Sequence, residues 1–178
     1  MIMDMSFKNI SFGTPEEFNV LIEIPKGSQN KYEYNEETDK IELDWVFVND
    51  FCLPYNYGLI PQTRGGDGDN LDAFVISSQP IDIGTVVKCR AIGIIKLIDK
   101  GEQDDKIIAV SLNDSEYNKY QDIKELSFDY VNIFEEFFKE LAIQKNKIME
   151  IKGFKGKEKA LEDLESAREN FKELKFRE

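Results

Sequence analysis

Residues 64–72 read RGGDGDNLD, and three aspartates, Asp67, Asp69 and Asp72, fall within this stretch among Gly65, Gly66, Gly68 and Asn70. Glycine and asparagine at that density make the segment a loop. Carboxylates packed this closely repel, so a folded chain gains nothing from gathering them in water alone. Either the loop is open and solvated, or something positive binds it. Loops rich in Asp and Gly are common on acidic proteins, so both readings stand until the rest of the chain is weighed.

A chain of 178 residues suits one globular domain with its own core, or one domain plus a short appendage. Hydrophobic residues at 41% and aromatics at 12% exclude disorder as a global description. No apolar run approaches the roughly 20 residues that span a bilayer. The opening MIMDMSFKNI lacks the basic region and apolar block of a signal peptide. Cys52 and Cys89 stand isolated in apolar surroundings and read as reduced, buried, small hydrophobes, without CxxC spacing or a disulfide framework. These features together predict a cytoplasmic protein.

The formal net charge of -12 argues against nucleic acid and against an anionic membrane as partners, since both select a basic footprint. The sequence also contains no histidine. Ser-His and Cys-His catalysis, the usual zinc sites and the commonest general base are removed together. Any metal is then held mostly by oxygen ligands, which points to Mg²⁺, Mn²⁺ or Ca²⁺.

Several segments read as strands. FNVLIEI (18–24) is apolar and closed by Pro25, and PKGSQN then turns into KYEY. Alternation puts Lys31 and Glu33 on one face of that strand and Tyr32 and Tyr34 on the other. In KIELDWVF the same period groups Ile41, Leu43, Trp45 and Phe47, and turns the indole toward the core. LDAFVIS, the long TVVKCRAIGIIKLID and KIIAVSL follow, with Gly93 placed where a bulge fits. Five or more short strands separated by turns predict a small barrel or sandwich. The period then changes to helical. Tyr130, Val131, Phe134, Phe137, Phe138 and Leu141 form one stripe, and Leu161, Leu164, Ala167, Phe171 and Leu174 another, on an amphipathic helix over about 157–176.

Three motifs compete for the aspartate loop. An EF-hand starting at Asp67 needs an oxygen ligand at its fifth position, Gly at its sixth and Glu at its twelfth, where this chain has Leu71, Asp72 and Ser78. An aspartyl-phosphate phosphatase places its DxD pair directly after a buried strand, whereas QTRGG precedes it here. The third is D-x-D-x-x-D followed by a strand, and on it the chain resembles the soluble inorganic pyrophosphatases of the first family. IEIPKGSQNKYEY, LPYNYGLIPQT and GTVVKCRAIGIIKLIDKGEQDDKIIAV resemble further blocks of that family in order and spacing, over about residues 17–154.

That resemblance implies a mainly β, α+β fold: a five-stranded OB-type barrel with flanking helices, one domain over residues 1–178. It implies Mg²⁺-dependent hydrolysis of pyrophosphate to two phosphates, with Mn²⁺ as a substitute metal, and a homo-oligomer, since bacterial relatives commonly form hexamers. Asp67, Asp72, Asp99 and Asp104 would ligate metal directly, and Glu23 and Glu33 would hold further metal through waters. Asp69 would be the general base on a water bridging two metals. Lys31, Lys106, Lys139 and the Tyr57 hydroxyl would take the phosphate oxygens, and Asp105 would be a spectator.

Several positions depart from the family pattern. Trp45 stands where the family has a phosphate-binding arginine, Phe138 where it has tyrosine, Leu53 where it has another aromatic, and Asn70 where proline is usual. Arg64 is the nearest cation in sequence to replace the missing one. A weakened relative serving as a metal- or phosphate-binding module is the second reading these residues allow, and an OB-type nucleic-acid binder, opposed by the charge, the third.

Overall fold

The computed structural model describes residues 6–177, so half of the opening stretch read for a leader lies outside the described residues. In chain order the strands are β1 (Phe18–Ile24), β2 (Asn30–Asn35), β3 (Lys40–Val46), β4 (Asn56–Leu59), β5 (Asp72–Ile76), β6 (Val86–Asp99), β7 (Glu102–Gln103) and β8 (Lys106–Ser111). Helix α1 (Tyr130–Gln144), strand β9 (Met149–Gly156) and helix α2 (Lys157–Lys175) complete the chain. Among the described residues no helix is long and apolar enough to cross a membrane.

The main sheet has seven strands in the order β1-β4-β5-β8-β6-β7, with β9 also on β6. β6 pairs with β1 as well, so the series of pairings runs back to its first strand. The sheet is mixed: β5 and β8 run parallel, and the other pairs antiparallel. Both faces of its centre are buried. Ala73 and Val75 of β5 pack with Ala160, Leu164 and Ala167 of α2, while Phe74 and Ile76 pack with Phe134, Phe137 and Phe138 of α1. This is why DAFVI and KIIAVS read as unbroken apolar runs rather than as alternation.

The register of β6 against β8 slips between Ala91 and Gly93, at the glycine where the sequence suggests a bulge. A Cβ on Gly93 would sit 2.8 Å from the Lys155 carbonyl oxygen of β9, so only glycine lets the two strands approach. The same slip lets β6, fourteen residues long, bend and serve β1, β8 and β9 along its length.

β2 and β3 form a separate two-stranded sheet. Here the alternation rule misleads. Leu43 is 56% exposed, Trp45 41% and Val46 54%, so the apolar face of KIELDWV lies outside the core. Only Phe47, just past its end, is buried. Cys89 is fully buried as expected, whereas Cys52 is only partly so.

Candidate active site

The aspartate loop is pinned at its base rather than loose. Thr63 Oγ1 donates to the Ile60 carbonyl oxygen at 2.6 Å and accepts from the Leu71 amide at 3.0 Å. Asn70 Nδ2 donates to the Thr63 oxygen at 3.1 Å, which explains how the loop is held without proline at that position. Within the turn, the Gly65 amide donates to the Asp69 carbonyl oxygen at 2.8 Å and the Asp69 amide to Asp67 Oδ1 at 3.0 Å. Gly68 sits at φ 88°, a left-handed conformation that L side chains adopt only with strain.

The loop forms one wall of a cavity of about 360 Å³. Asp67, Asp69 and Asp72 line it, together with Asp99 at the end of β6 and Asp104 just before β8. Glu23 of β1, Lys31 and Glu33 of β2, Tyr57 of β4 and Lys106 of β8 line the same cavity. Ten of the eleven candidate residues read from the sequence are therefore brought together around one space.

The parallel register of β5 and β8 sets Asp72 beside Lys106. Lys106, 5% exposed, donates through Nζ to Asp72 Oδ2 at 2.7 Å and to Asp104 Oδ1 at 2.8 Å. Tyr57 donates its hydroxyl to Asp72 Oδ2 at 2.6 Å. Burial works against the Lys106 charge, but Asp72, Tyr57 and Asp104 outweigh it and hold the ammonium protonated well above the ordinary lysine range. Tyr57 is likewise held in its neutral form, first by burial and then by Asp72.

The carboxylates show the strain of their convergence. Burial first, and Asp72 next, push Glu23 up to about 8, against a single hydrogen bond from the Tyr34 amide at 2.8 Å. Asp69 and Asp104 are raised in the same direction, each by burial first, with Asp72 adding to both. Asp99 Oδ2 takes the Lys147 ammonium at 2.5 Å, but its Oδ1 is buried without a hydrogen-bond partner. A buried orphan oxygen in an all-oxygen, like-charged donor set suits a hard divalent cation. Among the described residues no three carboxylates already converge as a ready cage; Lys106 sits between Asp72 and Asp104, and Lys147 on Asp99.

Three sequence readings are corrected. Lys139 lies outside the cavity and is exposed, because α1 buries Phe134, Phe137, Phe138 and Leu141 and turns Lys139 away. Arg64 does not replace the missing arginine: its guanidinium lies 5.4 Å from the Phe171 ring centroid on α2 and 3.4 Å from Glu36, outside the cavity lining. Trp45 neither fills the core nor lines the cavity; Lys145 Nζ stands 4.3 Å from its ring centroid. Asp105, read as a spectator, stays outside the cavity lining, but it is 7% exposed and bonded to Leu97, Gln103 and Lys96.

Lys147 escaped the sequence reading. It follows α1 in an ordinary-looking KNK, and its reach to Asp99 depends on β9 pairing with β6, where Asp99 lies opposite Met149. Nothing local in the sequence signals that pairing.

Converging carboxylates with lysines and a tyrosine interleaved, beside a glycine-rich turn, are the equipment of a metal-dependent enzyme acting on phosphate groups. Comparison with known proteins makes the class specific. The sequence model of the family described as inorganic pyrophosphatase matches residues 20–172. The chain is 45% identical over 159 residues to the inorganic pyrophosphatase of Thermoplasma volcanium, covering 86% of this chain and 93% of that one. It is 40% identical over 153 residues to soluble inorganic pyrophosphatase 1 of Arabidopsis thaliana, covering 86% of this chain and 72% of the relative. Its fold is similar to the crystal structure of the Thermus thermophilus inorganic pyrophosphatase, with TM-score 0.85 at 32% identity over 94% of this chain and 99% of that one. The chain belongs to the inorganic pyrophosphatase family.

Proposed function

We propose that this chain hydrolyses inorganic pyrophosphate to two orthophosphates, with Mg²⁺ as the working metal and Mn²⁺ able to replace it. The observation that carries this reading is the gathering of Asp67, Asp69, Asp72, Asp99 and Asp104 with Lys31, Lys106 and Tyr57 around one cavity. Asp67, Asp72, Asp99 and Asp104 are the residues that would hold Mg²⁺, with Glu23 and Glu33 set back to act through waters. Bound there, the metal would lower the pKa of water toward neutrality and offset the charge on the phosphates.

The protein's own groups divide the remaining work. Asp69 is the one aspartate of the cavity with neither a lysine partner nor an assigned metal, and burial with Asp72 raises its proton affinity. It accepts the proton of the attacking water, whose oxygen bonds to one phosphorus as the bridging P–O bond breaks. Lys31, Lys106 and Lys147 bind phosphate oxygens by charge-assisted hydrogen bonds, and the neutral Tyr57 hydroxyl adds a donor. Lys147 takes here the place that the sequence gave to Lys139. Lys31 is presently engaged by Asp44 at 2.6 Å and Glu33 at 3.4 Å, so it must exchange partners to reach substrate.

The circuit of pairings through β1, β4, β5, β8 and β6 supports reading the sheet as the five-stranded OB-type barrel, and two helices packed on one sheet support a single domain over 1–178. We also propose a homo-oligomer, a hexamer by analogy with bacterial relatives, working in the cytoplasm without nucleic acid or membrane partners. Phosphate release from pyrophosphate, assayed with Mg²⁺ and with a chelator, tests the reading. We expect release that requires Mg²⁺, with ATP a poor substrate under the same conditions. No release above the buffer control between about pH 7 and 9 would instead favour a binding module.

A further inference from the structure

Helix α2 grips both segments that carry the proposed metal ligands, and it does so through groups the chemistry above does not use. On one side, the Arg64 amide donates to the Ala167 carbonyl oxygen at 2.9 Å and Asn170 Nδ2 donates to the Arg64 oxygen at 3.3 Å, tying the helix to the base of the aspartate loop. On the other, Asp163 Oδ2 accepts from Lys96 Nζ at 2.8 Å, and the same ammonium donates to Asp105 Oδ2. Asp105 in turn closes the hairpin: its Oδ1 accepts from the Leu97 amide at 3.0 Å, and its Oδ2 from Gln103 Nε2 at 2.6 Å. Asp99 and Asp104 bracket that hairpin. A second cavity of about 200 Å³ separates loop, hairpin and helix, lined by Asp67 and Asp104 from the active-site side and Asp105 and Asp163 from the other.

We propose that Asp105, Lys96 and Asp163 form a positioning clasp that sets the separation of Asp104 and Asp99 from Asp67, and so tunes metal affinity. None of the three is a catalytic residue. Asp163 also holds Lys159 at 2.9 Å, which fixes its carboxylate on the helix surface facing Lys96. Multidentate metal binding depends steeply on ligand separation, and partners that orient ligands commonly change metal affinity by about 10- to 100-fold. The proposal rests on reading Asp67, Asp99 and Asp104 as metal ligands.

Calorimetric titration of Mg²⁺ into the substrate-free protein tests it, on wild type, Asp163→Asn and Lys96→Gln, at a temperature where circular dichroism shows each folded. The two substitutions change local charge in opposite senses, so a pure charge effect would weaken cation binding in the first and tighten it in the second. A clasp predicts weaker Mg²⁺ binding in both, by about 10-fold, with turnover at saturating Mg²⁺ kept within about 2-fold of wild type because no reacting group is lost. Opposite shifts would reduce the effect to charge and overturn the proposal. Lower melting temperatures with unchanged affinity would make the network a stability element only, and would equally overturn it. A wild type that binds no Mg²⁺ would remove the metal-site reading and the clasp together, whereas affinity unchanged in both variants of a Mg²⁺-binding protein removes the clasp alone.

Discussion

Asp69→Asn is expected to lower the maximal rate of pyrophosphate hydrolysis by about 10²–10⁴-fold, the usual consequence of losing a general base. The Mg²⁺ concentration needed for half-maximal activity should stay close to that of wild type. Asp69 makes no ion pair, and its amide and carbonyl, which hold the turn through Asp67 and Gly65, survive the substitution. Asp72→Asn should behave differently. Asp72 Oδ2 receives both Lys106 and Tyr57, and the residue lines the cavity with the other carboxylates, so the amide removes charge from the centre of the ligand set. Fewer negative oxygens then offset the dehydration of Mg²⁺, and the metal dependence shifts to higher concentration. Steady-state rates across a Mg²⁺ series separate the two. Equal shifts in Mg²⁺ dependence with similar maximal rates would overturn this division of roles.

Lys106→Ala carries the second large effect, on both substrate and stability. Lys106 is a buried ammonium shared by two carboxylates, and removing one member of such a cluster costs about 3–5 kcal/mol because the remaining charges lose their partner. Asp72 and Asp104 keep side-chain exposures of 24% and 22%, so the lower end of that range applies. The loss should be largest in chelator. Mg²⁺ at about 100 times its Kd adds about 2.7 kcal/mol to a protein that binds it only when folded, and it should add more to the variant than to wild type, because no ammonium then competes for Asp72 and Asp104, so part of the deficit is recovered. Recovery of stability should not bring recovery of affinity for pyrophosphate. A charge-assisted hydrogen bond contributes about 1.5–3 kcal/mol, so the KM for pyrophosphate should remain raised by about 10- to 100-fold. Urea unfolding with and without Mg²⁺, beside the kinetics, reads both quantities. A variant that regains a normal KM in Mg²⁺ would remove Lys106 from substrate binding.

The parts of this architecture written in local pattern were legible. The apolar runs of β1, β5, β6 and β8, the stripes of α1 and α2 and the glycine at the β6 bulge all follow from side-chain period and backbone sterics. Most of the candidate site was legible too, because the aspartates sit in a compact loop and at the ends of strands whose order the sequence preserves. What failed depends on contacts between distant segments. β4 is legible only as part of a motif, since four residues with a central glycine give little periodicity. β9 carries no clear period because MEIKGFKG mixes charge with apolar residues at the edge of the sheet, and the placing of Lys147 depends on it. Trp45 and Lys139 were misplaced for a shared reason: alternation and helical phase say which residues share a face, but not whether that face meets anything. For β3 the shared face meets solvent, and for α1 the phase that buries Phe138 exposes Lys139. Asp105 looked redundant beside Asp104, yet adjacent strand-end residues point in opposite senses, one to the cavity and one to the helix behind it.

The most direct test of the metal site is anomalous scattering from crystals grown with Mn²⁺ and a non-hydrolysable pyrophosphate analogue. Manganese peaks bounded by Asp67, Asp72 and Asp104 and beside Asp99 Oδ1, with Lys106 and Lys147 moved onto phosphate oxygens, are the predicted result. Peaks elsewhere on the acidic surface, with Lys106 still bridging Asp72 and Asp104 and the analogue absent from the cavity, would contradict the account.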